Sequence, residues 1–293
     1  MRGLPLIRVW HEAPGLRRIG KRIPVRWFFH WVQIVAPFAG WFSLHARKQR
    51  RYIWQAMNGG LQPARLREIT RKHLTYRKWR TCLTYAWPNV ADRYHDWVSI
   101  EGEEHLLEAL KAGRGAILLS GHSYGFSRMV PPVLAEKGHS ILRTGKGIDP
   151  ERWEKLWGRT SRGSWQYLNY EGDGWRHLLV LNRMRQALEK NAVLHIGIRG
   201  FPQGDSDLEI DFCYKKFFLD PQILRLTEVL KAPVLPCFAV CNDVGKLIIT
   251  IYPALAASPA EIMRGFGTLY SRYLREFPEF ANIWARVIRQ EDF

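Results

Sequence analysis

The stretch Gly121-His122-Ser123-Tyr124-Gly125-Phe126-Ser127-Arg128 gathers an imidazole, two hydroxyls, a phenol and a guanidinium within eight residues. An imidazole can take a proton from a nucleophile, and neighbouring donors can hold a developing oxyanion. The preceding run, Gly115 to Ser120, is apolar without polar alternation. That is the pattern of a strand covered on both faces. Phe126 to Lys137 reads as a helix, distorted at Pro131-Pro132. A strand-turn-helix step puts His122 at the carboxyl end of a strand, where open α/β sheets carry their chemistry. A histidine by itself says little. This one stands at a strand end, between glycines and beside small polar residues.

Elements that could position this turn recur along the chain. Glu103 to Ala112 reads as a short helix with acids in its first turn, Gly113 after its end and a stripe of Leu106, Leu107 and Leu110. His139 to Arg143 is a predicted strand, and Pro150 to Gly163 a helix carrying Trp153 and Trp157. Asp173 to Lys190 is a longer helix whose Leu178, Leu181, Met184 and Leu188 recur at helical spacing. Ala192 to Ile198, Pro233 to Val240 and Leu247 to Tyr252 read as strands. Asp220-Pro221 opens a helix with Leu224, Leu226, Val229 and Leu230 on its apolar side. Ser258-Pro259-Ala260-Glu261 is a capping box that opens another. Strands alternate with helices from residue 97 onward. The expected fold class is α/β: a mixed central sheet flanked by helices, behind a helical, membrane-facing N-terminal part.

Trp97 to Ser127, with its Gly102-Glu103-Glu104-His105-Leu106 helix and the glycine-led strand before His122, resembles the lysophospholipid acyltransferase superfamily in its lipid A late-acyltransferase branch. The branch has a "G-x-E-H-L" helix, then His-x4-Asp/Glu. The Arg47 to Asn58 stretch and the closing segment toward Trp284 are similar to that branch too, so the resemblance spans about residues 20 to 288. The departure is at the acid, where this chain has Ser127. The resemblance implies acyl transfer from a thioester, on acyl carrier protein or coenzyme A, to a hydroxyl or amine of a lipid or lipid-like acceptor. His122 is then the general base. No cofactor beyond that co-substrate is implied, and no metal.

Ser127 can fix the tautomer of His122 by a hydrogen bond but brings no charge, whereas an anionic partner would stabilise the imidazolium. Three accounts stay open. Another carboxylate, from the cluster Asp205, Asp207, Glu209 and Asp211, reaches His122 in space; or the acceptor is a better nucleophile, such as an amine; or the protein is a lipid- or partner-binding relative that no longer transfers acyl groups. Ser123, Tyr124 and Arg128 flank the histidine as candidate substrate-binding residues. Arg159 and Arg199 stand where the resemblance places basic residues near the acceptor. Phe201-Pro202-Gln203-Gly204 is similar to the phosphate-recognising "F-P-E-G" element of glycerolipid acyltransferases, with one residue substituted.

The chain has 293 residues and a formal net charge of +17. Such a balance suits an anionic membrane surface, an acidic carrier protein or nucleic acid. No nucleic-acid motif is present, so nucleic acid is not an expected partner. The 13 tryptophans suit a bilayer interface, where indoles settle at headgroup depth. Val25 to Leu44 is the most apolar stretch, but Arg26, His30, Gln33 and Pro37 interrupt it and both flanks are basic. It reads as an interfacial anchor, and residues 1–44 as a membrane-anchoring segment ahead of an α/β domain at 45–293. The alternative is a buried N-terminal helix of the globular domain. No small-residue cleavage site follows a signal-peptide core, so the expected place is the cytoplasmic face of the inner membrane. The four cysteines, Cys82, Cys213, Cys237 and Cys241, are too scattered for a disulfide framework and read as buried thiols.

Overall fold

The structure is a computed structural model that describes residues 24–41, 44–57, 60–121, 124–145, 164–169, 175–198, 200–201, 209–212, 215–219, 222–255 and 258–281. Three helices come first: α1 (Val25–Trp41), α2 (Leu44–Ala56) and α3 (Pro63–Val90). The sheet and its covering helices follow: β1 (Val98–Glu101), α4 (Glu103–Lys111), β2 (Ala116–Gly121), α5 (Val130–Glu136), β3 (Ser140–Gly145), β4 (Ser164–Asn169), α6 (Trp175–Glu189) and β5 (Val193–Ile198). Next come β6 (Gly200–Phe201), β7 (Glu209–Phe212), β8 (Lys215–Leu219), α7 (Gln222–Leu230), β9 (Val234–Cys241), β10 (Leu247–Ile251) and α8 (Pro259–Glu276). Seven strands form one mixed sheet in the order β1-β10-β9-β2-β5-β3-β4, and β6-β8-β7 form a small antiparallel sheet.

All neighbours in the large sheet are parallel except β9 and β10. The parallel centre explains the unbroken apolar runs: every residue of β2 and of β9 is buried. A strand covered on both faces has no side on which polar residues could alternate. The expected mixed sheet flanked by helices is therefore present. Capping at Ser258 also follows the expected pattern, with its hydroxyl accepting from the Glu261 amide at 3.3 Å and Pro259 in the first turn. Cys82, Cys237 and Cys241 are free and buried; Cys213 lies outside the described residues.

Several expectations are corrected. The helix expected over Phe126 to Lys137 is a short 3-10 turn, Ser127–Met129, followed by α5. Pro131 and Pro132 sit in its first turn, where a missing N–H breaks no helical bond, so they start the helix instead of kinking it. Leu107, Leu178 and Val229 were expected on buried faces and are exposed. Each lies at the margin of an apolar stripe wider than the strip that its helix presses onto neighbours. Strand β4 was not anticipated from Ser164-Trp165-Gln166-Tyr167-Leu168-Asn169, and neither was β8. The helix expected at 150–163 lies outside the described residues.

Helix α1 packs on the rest of the molecule by one face. Phe29 is fully buried against Trp79, with ring centroids 5.2 Å apart, and beside Tyr76. Gln33 Nε2 donates to the Asp243 carbonyl at 3.0 Å. The other face shows Trp27, Trp31 and Ile34, at 65%, 50% and 64% exposure. Their spacing puts them on one side of the helix. No helix among the described residues is long and apolar enough to cross a membrane.

Candidate active site

Strand β2 lies between β5 and β9, so its carboxyl end opens between strands on both sides. The chain then turns in a way that its own polar groups stitch to distant elements. The Tyr124 amide donates to the Gly121 carbonyl at 3.2 Å, Gly125 to Phe280 at 3.0 Å and Phe126 to Ala239 at 2.8 Å. Gly121 packs against the Tyr270 ring, which a Cβ would meet at 2.6 Å. Gly125 has φ +51, and a Cβ there would sit 2.1 Å from the Ala239 carbonyl oxygen. Gly125→Ala should therefore cost about 2 to 4 kcal/mol from combined strain and overlap. Gly113→Ala, also at positive φ but with nothing within 4 Å, should cost about 1 kcal/mol. Urea unfolding midpoints of the two variants check this; equal shifts would show that the close approach at Gly125 is not a constraint.

His122, Ser123, Arg159 and Arg199 lie outside the described residues, as do Asp205 and Asp207; of β7 only the backbone is described. Tyr124, Ser127 and Arg128 are placed. Tyr124 was expected to meet substrate, and its position does not fit that role. It is 1% exposed, ringed by Phe238, Tyr270, Tyr273 and Phe280. Its hydroxyl donates to the Tyr273 carbonyl at 2.8 Å. Burial holds the phenol well above its ordinary pKa. Tyr124 is a strut that ties the turn to α8, because an apolar surround leaves a buried phenol no better partner than a helix-end carbonyl.

Ser127 is buried, and its hydroxyl has no hydrogen-bond partner among the described residues. Its carbonyl accepts from Arg143 Nη1 at 3.1 Å. Two residues earlier the Gly125 carbonyl accepts from Arg80 Nη1 at 3.0 Å. Arg80 comes from α3 and Arg143 from β3, so two distant guanidiniums grip one short turn. Arg128 belongs to the turn itself and reaches solvent, though surrounding protein strips enough water from it to lower its pKa. Burial, then the Arg128 charge, push both Arg80 and Arg143 down to about 9. All three remain cations at neutral pH. No described carboxylate contributes to the electrostatics of Arg80 or Arg143.

The sheet under the turn carries a polar row. Register aligns Leu118 with His195, His195 with Arg143 and Arg143 with Tyr167. Residues aligned on adjacent strands share a face. Ser120, two residues past Leu118, lies on that face too, its Oγ 3.1 Å from His195 Nε2. His195 is fully buried and its Nδ1 has no partner among the described residues. Burial and the Arg143 charge keep this imidazole neutral, with a pKa well below the usual histidine range. Gly145 on β3 leaves room for Tyr167, whose hydroxyl a Cβ would meet at 1.8 Å.

Arg80, Arg143, Ser120 and His195 were missed in the sequence. The polar residues of Leu142-Arg143-Thr144 and Leu194-His195-Ile196, set inside apolar strands, are the signal that could have found two of them. Arg80 carries no such mark among the many cations of α3. Among the described residues no group of three His, Cys, Asp or Glu side chains could hold a metal ion.

Residues 75–269 match the family model described as bacterial lipid A biosynthesis acyltransferase. The match covers the turn, both arginine-bearing elements and most of the large sheet. No individual curated protein matches the chain.

Proposed function

The chain belongs to the bacterial lipid A biosynthesis acyltransferase family, and from that premise we propose that it moves a fatty acyl group from an acyl thioester to a hydroxyl or amine of a lipid acceptor. The thioester is carried by acyl carrier protein or coenzyme A. The observation that supports this reading most is the turn that follows β2 at the carboxyl end of a central parallel strand, in the stretch that carries His122 in the sequence, locked by backbone bonds to Ala239 of β9 and to Phe280. In this reading His122 takes the acceptor's proton, and the cationic surround of Arg128 and Arg143 stabilises negative charge on the reacting oxygen. Arg159 and Arg199 remain candidate acceptor contacts.

The membrane part of the proposal rests on α1 and α2. Trp27, Trp31 and Ile34 present an apolar stripe on α1, and Arg26 on α1 and Arg47, Lys48, Arg50 and Arg51 on α2 are exposed. An indole-rich stripe on a cation-rich helical part lies in the interface plane of an anionic bilayer and does not span it. The cytoplasmic face of the inner membrane is the proposed location. Binding should weaken as salt rises, because screening shortens the reach of surface charge. Vesicle sedimentation across a salt series checks this, and equal binding to neutral vesicles at every salt concentration would remove electrostatics from the account.

The test of the reaction is a transfer assay with both thioester carriers against lipid, sugar and amine acceptors. An acylated product identified by mass spectrometry supports the reading; its absence from folded, vesicle-bound protein with every pair sinks it. Position 127 adds a finer expectation. Ser127→Ala should reduce turnover by only a few-fold, since a neutral hydrogen bond is worth about 1 kcal/mol. Ser127→Glu restores the acid of the family pattern five residues after His122 and is expected to raise the imidazole pKa and to speed transfer to a hydroxyl. Comparing kcat for these two variants on one verified acceptor decides whether position 127 acts on the base at all.

A further inference from the structure

Helix α1 and the catalytic turn stand at the same end of the sheet. Strand β9 runs parallel to β2 and pairs Pro236 with Leu119. Beyond that pair β2 continues two residues, 121 minus 119, and β9 five, 241 minus 236. The β9–β10 hairpin therefore overshoots the end of β2 by three residues, roughly 10 Å of extended chain. Helix α1 is fastened to that hairpin. Gln33 Nε2 donates to the Asp243 carbonyl at 3.0 Å, and a Cβ on Gly245 would meet the Phe29 ring at 2.3 Å. Val244, at the hairpin tip, is more than half exposed. The carboxylate beside it, Asp243, is answered by Lys72 at 3.3 Å and by the Tyr76 hydroxyl at 3.0 Å.

A second apolar patch lies on the other flank of the turn, where β5 borders β2. Helix α6 packs on β5 and returns from the carboxyl end of β4 to the start of β5. Its Leu188 sits at the start of β2, where a Cβ on Gly115 would meet that side chain at 2.8 Å. Leu178 and Leu179 come ten and nine residues earlier, 188 minus 178 and 188 minus 179. That is about 15 Å along the helix, toward the carboxyl end of the sheet. Both side chains are more than half exposed. Residues 175–188 include no acid, and Arg183 and Arg185 are exposed. Val229 is exposed too, but it stands near the end of α7, just ahead of the start of β9 and so at the opposite end of the sheet.

We propose that the hairpin tip with Val244 and the start of α6 with Leu178 and Leu179 contact an anionic lipid bilayer together with α1, so that the carboxyl end of the sheet faces the membrane. This footprint presupposes the lipid contact of α1 proposed above and adds two points to it. Strands β9 and β5 border β2 on opposite sides, each about 5 Å away, so the two patches bracket the catalytic turn. A broad, flat partner meets both flanks at once. Charge selects its sign: the start of α6 is free of acids, and exposed cations stand on α1, α2 and α6, which an anionic headgroup layer complements. Docked this way, the turn opens at headgroup depth. An acceptor held in the lipid by its own acyl chains presents its hydroxyl or amine there without leaving the bilayer.

The experiment uses the full chain with Cys213→Ser, which leaves buried Cys82, Cys237 and Cys241 as the only native thiols. One further substitution, Leu178→Cys, Val244→Cys, Ile34→Cys or Val229→Cys, carries an environment-sensitive fluorophore. The probe is a vesicle of phosphatidylglycerol and phosphatidylcholine with some brominated acyl chains, which quench a label that enters the lipid. Labels at 34, 178 and 244 should shift to the blue and be quenched, and the label at 229 should stay in water. A label at 178 or 244 that stays in water while the one at 34 is quenched overturns the footprint and leaves the α1 contact standing. No quenching at 34, 178 or 244 overturns both. Equal quenching at all four positions shows adsorption without orientation and overturns the footprint. A response at 178 and 244 to soluble acyl carrier protein and not to vesicles gives this surface to a protein partner, and overturns it too. A label-free check is the pair Leu178→Ser with Leu179→Ser. It should lower partition onto the same vesicles about tenfold or more. The thermal midpoint should not move, because both side chains are exposed in the free protein; unchanged partition would remove α6 from the footprint. None of these measurements needs turnover, so the acyl-transfer reading stands or falls separately.

Discussion

His122→Ala should lower kcat/KM by roughly 10² to 10⁴, the range that a positioned general base contributes. The loss should appear in kcat with KM for both substrates little changed, because proton removal from the acceptor is completed in the transition state and not on binding. The fold should survive. The bonds that hold the turn come from the backbones of Gly121, Tyr124, Gly125, Phe126 and Ser127, and from Arg80 and Arg143 on their carbonyls. None of these needs the imidazole. Circular dichroism and the urea midpoint of the variant check that point, and turnover with a verified acceptor checks the chemistry. Unimpaired transfer by well-folded His122→Ala protein would end the assignment of His122 as base and move the role to other residues.

The second large effect is expected at the membrane. Replacing Trp27, Trp31 and Ile34 together by serine should reduce partition onto anionic vesicles roughly a thousandfold, at about 1.5 kcal/mol for each apolar side chain kept in water. Thermal stability should barely change, since these three side chains are exposed in the free protein. This is a cleaner test than removing residues 1–44. Deletion would also take away Phe29, which fills the space between Trp79, Tyr76 and Gly245, and lost binding could then reflect a damaged core. A triple variant that sediments with vesicles as the parent does would show that another surface meets the bilayer.

Some of this was legible in one dimension because its cause is local. Gly115 to Ser120 reads as a buried strand since each residue of a two-sided strand must be apolar by itself. The Ser258 cap is legible because donor and acceptor are three residues apart. The start of α5 was misread because Pro131-Pro132 marks either a kink or a beginning, and the choice depends on where the turn before it ends. That end is set by Ala239 and Phe280, far along the chain.

What the sequence by itself determined is therefore the family, the central strand, the histidine at its end, the basic balance and the tryptophan-rich N-terminal helix. Each follows from residue type and short-range spacing. The tertiary structure alone decided which cations share a site and which side chains face inward. Arg80 and Arg143 are 63 positions apart, as 143 minus 80, and only the packing of α3 and the register of β3 bring both to carbonyls of one turn. Tyr124 stands next to polar candidates in the chain, yet its ring turns into an aromatic core because α8 and β9 offer it apolar area and a carbonyl at 2.8 Å. Neighbourhood in space is set by the closure of long loops around a sheet, and no local pattern encodes the partner at the far end of such a loop.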